Sequence, residues 1–207
     1  MSVTSLFATH IYESPLIAAQ SDRRALNRRL LHECRQLRFD DESGQRWSKK
    51  NYPGGYTSYN SVARMHELSP TFAKLRKYLD RHVRKYVQAL EWDMEGRELA
   101  MTDCWVNIMP HRVVHSLHLH PLSAVSGTYY VQTPRGAPGL KLEDPRLDRF
   151  MAAPPRKSTA KLANKPWVVI PAQAGGLVLF ESWLRHEVAP NPAKQERVSI
   201  SFNYSWF

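Results

Sequence analysis

Cysteine is scarce: the chain has two, Cys34 and Cys104, far apart and without C-x-x-C spacing. That excludes a cysteine-based zinc site and favours a reducing compartment. The opening "MSVTSLFATHIYESPL" lacks the basic start and apolar run of a secretory signal, and no stretch approaches membrane-spanning length. A cytoplasmic protein with no membrane partner is therefore expected. Acidic residues are also in short supply. Asp and Glu number 19 against 29 Lys and Arg, a formal charge of +10, which favours acidic partners or substrates through long-range attraction. The basic residues are spread along the chain, so a solvated basic face is favoured over a nucleic-acid surface. No internal repeat or low-complexity segment stands out. At 207 residues a single domain can bury a substantial core without disulfides.

The first half, residues 1–95, reads as mainly helical support. After Ser21 as N-cap, Leu26, Leu30, Cys34 and Leu37 recur at helical spacing with arginines opposite. A Gly- and Tyr-rich connection, "NYPGGYTSYNS", leads to a second helix that starts with Ser69 as cap and Pro70 at its first position. Its apolar stripe is Phe72, Leu75, Leu79, Val83, Tyr86 and Leu90, and His82 beside it reads as packing. From about residue 100 to 207 the character changes. "MTDCWVNIM", "SAVSGTYYVQ", "PWVVI", "GGLVLF" and "RVSISFNYSW" are short runs rich in β-branched and aromatic residues. With weaker candidates around Val113, Leu140 and His186, about eight strands follow one another, which points to a sandwich or closed jelly roll. The Pro- and Lys-containing stretch 146–165 reads as a long loop and is expected to act as a lid.

Four of the nine histidines fall in "HRVVHSLHLHP". Residues i and i+2 of a strand share a face, so His118 and His120 can project side by side into one cavity. The only later histidine, His186, supplies a third ligand if distant strands line one mouth. His111 and His115 fit outer or surface roles better. Arg197 opens the last strand, with Ser199 two positions on. A guanidinium on an inward strand face needs an anion, either an internal acid such as Glu143 or Asp144 or the carboxylate of a small molecule beside the metal. Imidazole alone does not choose among zinc, iron, copper and nickel.

Together these residues resemble the 2-oxoglutarate- and Fe(II)-dependent oxygenases, and most closely a little-characterised bacterial and phage branch of them. The motifs include "LFATHIY", "GGYTSY", "HxHP…SGxYY", "EDPR" and "LVLFxSWLxH…RxSISFN", spread over almost the whole chain. The resemblance implies a double-stranded β-helix (jelly-roll, cupin-like) core with flanking N-terminal α-helices. It implies Fe(II) on His118, His120 and His186, with 2-oxoglutarate as cosubstrate and O2 as oxidant. Arg197 and Ser199 match the motif for the cosubstrate's distal carboxylate. Asn107, eleven residues before His118, matches an asparagine that contacts the cosubstrate, and Tyr130 matches a tyrosine on the distal carboxylate. Trp105, Trp183 and Phe202 are candidates for apolar walls. The chain departs from the family at His120, where an aspartate is usual. Either three histidines hold the metal, or His120 turns away and water or an acid such as Asp144 completes the shell. Two alternatives stay open: a three-histidine cupin-type oxygenase that uses no 2-oxoglutarate, and a non-enzymatic barrel with a structural metal. Substrate and oligomeric state are unassigned, since the terminal "NYSWF" fits either a barrel strand or an interface.

Overall fold

The computed structural model describes residues 2–206. Helix α1 (Gln20–Asp40) buries Leu26, Leu30 and Cys34. Its N-cap is Ala19, without a side-chain cap hydrogen bond. The Ser21 hydroxyl therefore does not cap the helix as the sequence suggests; Arg23 instead donates to the carbonyls of Ile17 and Ala18. Helix α4 (Pro70–Ala89) begins as expected, with Ser69 Oγ accepting from the backbone N–H of Thr71 and Phe72. It buries Phe72, Leu75, Leu79, Val83 and Tyr86. His82 is a packing residue, bound through Nδ1 to the Tyr12 hydroxyl and through Nε2 to the Leu16 carbonyl. Between them lie the ten-residue helix α2 (Glu42–Asn51) and the single-turn α3 (Met65–Leu68).

Residues 99–206 carry eight strands: β3 (Leu99–Met109), β4 (His115–His118), β5 (Val125–Gln132), β6 (Leu140–Glu143), β7 (Trp167–Ile170), β8 (Gly176–Glu181), β9 (His186–Val188) and β10 (Arg197–Trp206). They divide into a sheet ordered β8-β5-β10-β3 and a facing sheet β4-β9-β6-β7, every pair antiparallel. This is the expected double-stranded β-helix. The larger sheet is extended at both edges by short strands from the N-terminal half, β1 (Tyr12–Pro15) on β8 and β2 (Tyr56–Thr57) on β3. The residues before 95 are thus partly woven into the sheet rather than only helical. Strand β10 carries "NYSW" of the terminal motif; Phe207 lies outside the described residues.

Two cores share the larger sheet. The alternation of β10 sends Val198, Ile200, Phe202 and Tyr204 toward the helices, where they pack with Leu30, Leu75, Leu79 and Val83. Phe202 therefore belongs to the outer core, and Gly127 gives its ring room: a Cβ there would sit 2.6 Å from that ring. The opposite face of β10 presents Arg197, Ser199, Ser201 and Asn203 to the space between the sheets. An apolar cluster including Met109, Tyr130, Leu142, Phe180 and Val188 fills the remainder of that space. A polar stripe buried inside a barrel marks the place where a polar ligand is received.

Candidate metal centre

His118 ends β4 and is the cross-strand partner of His186, the first residue of β9. His120 stands just past β4, its backbone N–H held by the Ser182 carbonyl at 3.0 Å. The three imidazoles converge: one ligand atom from each lies within 4.8 Å of the others. Their outer nitrogens fix which atom is bare. His118 Nδ1 donates to the Ser116 carbonyl at 2.7 Å, His186 Nδ1 to the Leu184 carbonyl at 2.9 Å, and His120 Nδ1 to Asn203 Oδ1 at 2.7 Å. Carbonyl oxygens only accept, so each ring is protonated at Nδ1 and turns an unprotonated Nε2 inward. The Asn203 amide is oriented in turn, because its Nδ2 donates to Asp103 Oδ2 at 3.2 Å and Ser126 donates to its Oδ1 at 2.8 Å. His118 and His120 then bring two bare Nε2 atoms to 3.3 Å. Facing lone pairs repel unless a cation sits between them. The donor set fits a metal ion.

Electrostatics agree. Burial pushes the His186 pKa down to about 2 and the His120 pKa to about 4, and the neighbouring His118 imidazole adds to both. His118 is lowered too, chiefly by burial. All three are neutral at pH 7, as metal ligation requires. His120 faces the site, and Asp144 takes no part, being bound to Arg146 at 2.9 Å. Among the described residues no fourth protein ligand joins the three histidines. A structural zinc site, which saturates four positions with protein ligands, is not built here; positions remain open.

Arg197 is 3% exposed. Its Nε donates to the Pro138 carbonyl and its Nη1 to Ser199 Oγ, and it lies over the Tyr130 ring at 5.0 Å. The two internal acids considered as partners are engaged elsewhere, Glu143 with Arg185 and Asp144 with Arg146. Among the described residues no carboxylate reaches Arg197. Three polar atoms near this end of the barrel are buried without a partner: the hydroxyls of Tyr130 and Tyr52 and Asn107 Oδ1. Burial holds both phenols in their protonated, donating form; it pushes Tyr52 up to about 12 and raises Tyr130, each tempered by the Arg197 charge. Asn107 Nδ2 donates to Ser201 Oγ at 3.0 Å. Exchanging its amide O and N lets Ser201 donate to Oδ1 and frees Nδ2 as a donor. An unpaired buried guanidinium with two idle hydroxyl donors describes a carboxylate receptor.

Two of these residues escaped the sequence reading. Tyr52 follows α2, a helix whose only large apolar side chain is Trp47 and which therefore shows no periodicity. Its position depends on Asp41, which accepts from Gly44 N–H, from the Tyr56 hydroxyl and from Ser61 Oγ, tying α2 to β2. Asn203 was hidden within an alternating strand. His115 takes the outer role the sequence allowed: it stacks on His118 at 4.8 Å and meets the Tyr52 ring in a tilted arrangement at 5.2 Å. Trp105 packs against His120 at 5.6 Å and lines a cavity that opens beside His118 and His120, whereas Trp183 is 44% exposed and does not. The stretch 146–165, with two short 3-10 turns, contributes no residue to that cavity.

Residues 103–203, just under half of the chain, match a family described as "Putative 2OG-Fe(II) oxygenase". Among solved structures, a prolyl-4-hydroxylase of Pseudomonas putida is 16% identical, with a TM-score of 0.61 over 96% of this chain and 94% of that one. The alpha-ketoglutarate-dependent epimerase SnoN of nogalamycin biosynthesis is 16% identical, with a TM-score of 0.65 over 95% and 78% of the two chains. HygX of Streptomyces hygroscopicus, solved with nickel and 2-oxoglutarate, is 12% identical with a TM-score of 0.61 over 95% and 83%. At these identities the likeness is one of fold. No curated protein matches the chain. Among the described residues no helix is long and apolar enough to cross a membrane.

Proposed function

We propose, on the match of residues 103–203 to the 2OG-Fe(II) oxygenase family model and on the site's geometry, that the protein is a hydroxylase-type dioxygenase whose iron rests on three neutral imidazoles. The observation that carries this reading is Arg197, a buried cation without an anion, on the same strand face as the asparagine that orients His120. His118, His120 and His186 would hold Fe(II) through Nε2. Their number leaves room for a bidentate ligand and for O2. Iron and 2-oxoglutarate, when bound, supply oxygen activation in which one atom of O2 enters a substrate C–H bond, the other enters succinate, and the 1-carboxylate leaves as CO2.

The chain's own residues perform the positioning. Arg197 pairs with the distal carboxylate, and Ser199 fixes the guanidinium plane through Nη1. The Tyr130 and Tyr52 hydroxyls, otherwise idle, donate to the same carboxylate. Asn107, with its amide turned, donates to the cosubstrate further along the stripe. Replacing the family's aspartate by His120 raises the charge of the metal centre by one unit, which favours a dianionic cosubstrate. Asn203 supplies what an imidazole needs and a carboxylate does not, an acceptor for Nδ1–H.

The test is O2-dependent succinate formation from 2-oxoglutarate, followed by mass spectrometry under 18O2 with Fe(II) and ascorbate. The expected result is one 18O atom in each succinate, lost in Arg197→Met. Oxygen uptake that requires iron but yields no succinate assigns the site to an oxygenase that uses no 2-oxoglutarate. Absence of both refutes the oxygenase.

A further inference from the structure

A cavity of about 480 Å³ opens beside His118 and His120. Two runs of rings form its walls. Tyr59, Trp105 and His120 follow one another with centroids 5.1 and 5.6 Å apart, and Tyr52, His115 and His118 do so at 5.2 and 4.8 Å. Trp47, Val114 and Leu119 add apolar surface. Among the described residues no carboxylate lines the cavity, and Arg112 is the only side chain there with a fixed charge.

Arg112 is unusual in its backbone. Its backbone has φ 64°, the left-handed region that a residue with a side chain seldom occupies and that persists only where its surroundings enforce it. Here they do. The Arg112 N–H donates to the Asn191 carbonyl at 2.8 Å, and the Asn191 N–H returns to the Val113 carbonyl at 3.0 Å. Asn191 is completely buried and is itself anchored through Nδ2 to the Met109 carbonyl at 2.9 Å. The side chain is exposed, and its guanidinium makes no hydrogen bond or ion pair among the described residues. The held backbone thus places an exposed, uncommitted cation at the mouth of an aromatic cavity.

We propose that the acceptor substrate is a small molecule with a flat, apolar body and an anionic group. Its body lies between the two runs of rings, and its anion pairs with Arg112. This rests on the reading of the three histidines as the oxidising centre. The volume suits one such molecule, since small-molecule sites hold about 300–1,000 Å³. The lining selects its sign: Arg112 places a fixed cation at the cavity, and no carboxylate lines it to partner an amine. A protonated amine entering this cavity meets the Arg112 cation and finds no carboxylate in the lining.

The test is calorimetric titration of the protein loaded with Ni(II) and saturated with 2-oxoglutarate. Three probes of one size are compared: 1-naphthoate, 1-naphthalenemethanol and 1-naphthylmethylammonium. The carboxylate is expected to bind at least ~10-fold more tightly than the ammonium, a ratio one charge-assisted contact supplies. Arg112→Asn keeps a residue that tolerates the left-handed backbone; it should bring the carboxylate to the affinity of the alcohol and leave the alcohol unchanged. The proposal is overturned if the ammonium binds as tightly as the carboxylate, if Arg112→Asn preserves the preference, if no probe binds, or if 2-oxoglutarate displaces the carboxylate competitively. Failure of the protein to take up Ni(II) and 2-oxoglutarate at all is a different result. It counts against the oxygenase reading, and the same titrations on the apo-protein then decide the Arg112 preference separately.

Discussion

Replacing Arg197 by Met should separate cosubstrate binding from stability, moving them in opposite directions. In the protein without ligand the guanidinium is 3% exposed and has two neutral acceptors, Pro138 O at 3.1 Å and Ser199 Oγ at 3.2 Å, with the Tyr130 face beneath it. Hydrogen bonds to a charged group contribute about 1.5–3 kcal/mol each, and a desolvated cation–π contact about 2 kcal/mol. Against them stands a desolvation penalty of several kcal/mol for a buried ion. The terms nearly cancel, and exchanging buried charges for apolar groups is often neutral or stabilising by about 1–4 kcal/mol. The apo variant should therefore melt at the parent's temperature or above, by about 2–4 °C for each kcal/mol in a chain of this size. Its affinity for 2-oxoglutarate should collapse. Losing one partner of a buried charge pair costs about 2–5 kcal/mol, or about 30- to 5,000-fold in Kd. Calorimetric unfolding of the apo-protein and 2-oxoglutarate titration of the Ni(II)-loaded protein give both numbers. A variant destabilised by more than about 2 kcal/mol that keeps parental cosubstrate affinity would make Arg197 a structural residue and refute the reasoning.

Asn203→Ala removes the acceptor that holds His120 in its Nδ1–H form. The affinity for Fe(II) should drop about 10- to 100-fold in a competition titration against a chelator, and an unchanged affinity would show that His120 needs no such support. Acid should destabilise the apo-protein well above the usual carboxylate range. His115, His120 and His186 are pushed down to about 3, 4 and 2, mainly by burial, whereas unfolded imidazoles titrate near ~6.5. The unfolded chain thus binds more protons, so stability is complete above about pH 6.5 and lost below it, by about 1.4 kcal/mol per pH unit for each imidazole. A melting temperature that stays level from pH 7 to pH 5 would contradict that assignment. Gly127→Ala places a methyl 2.6 Å from the Phe202 ring and 2.7 Å from Leu179 Cδ2. Overpacking of this kind costs about 1–3 kcal/mol, and an unchanged denaturant midpoint would disprove the close approach.

What was legible in the sequence had short range or strong composition. The cap at Ser69, the stripe of α4 and the succession of β-branched runs are local signals, and the structure places all three as read. His118, His120 and His186 were legible because three histidines with an Arg-x-Ser following them are rare in combination. The remainder was hidden for physical reasons. Helix α2 owes its place to the hydrogen bonds of Asp41 rather than to an apolar stripe, so Trp47 and Tyr52 gave no periodic signal. In β10 the polar residues face inward and the apolar ones meet the helices, the reverse of an ordinary solvated sheet. The alternation revealed a strand but not which face was interior, and with it the role of Asn203. The tertiary contacts of Arg112 depend on Asn191, 79 positions later in the chain, a distance no local pattern spans.

The central claim is that three histidines and Arg197 together receive Fe(II) and 2-oxoglutarate. Its most direct test is an anaerobic titration of the apo-protein, first with Fe(II) and then with 2-oxoglutarate, watching the visible metal-to-ligand charge-transfer band. The account predicts one iron per chain, a band that saturates with one 2-oxoglutarate, weakened iron binding in His120→Ala, and a weakened cosubstrate titration in Arg197→Met. Tight iron binding with no band would contradict the cosubstrate site, and iron binding that His120→Ala leaves intact would contradict the three-histidine centre.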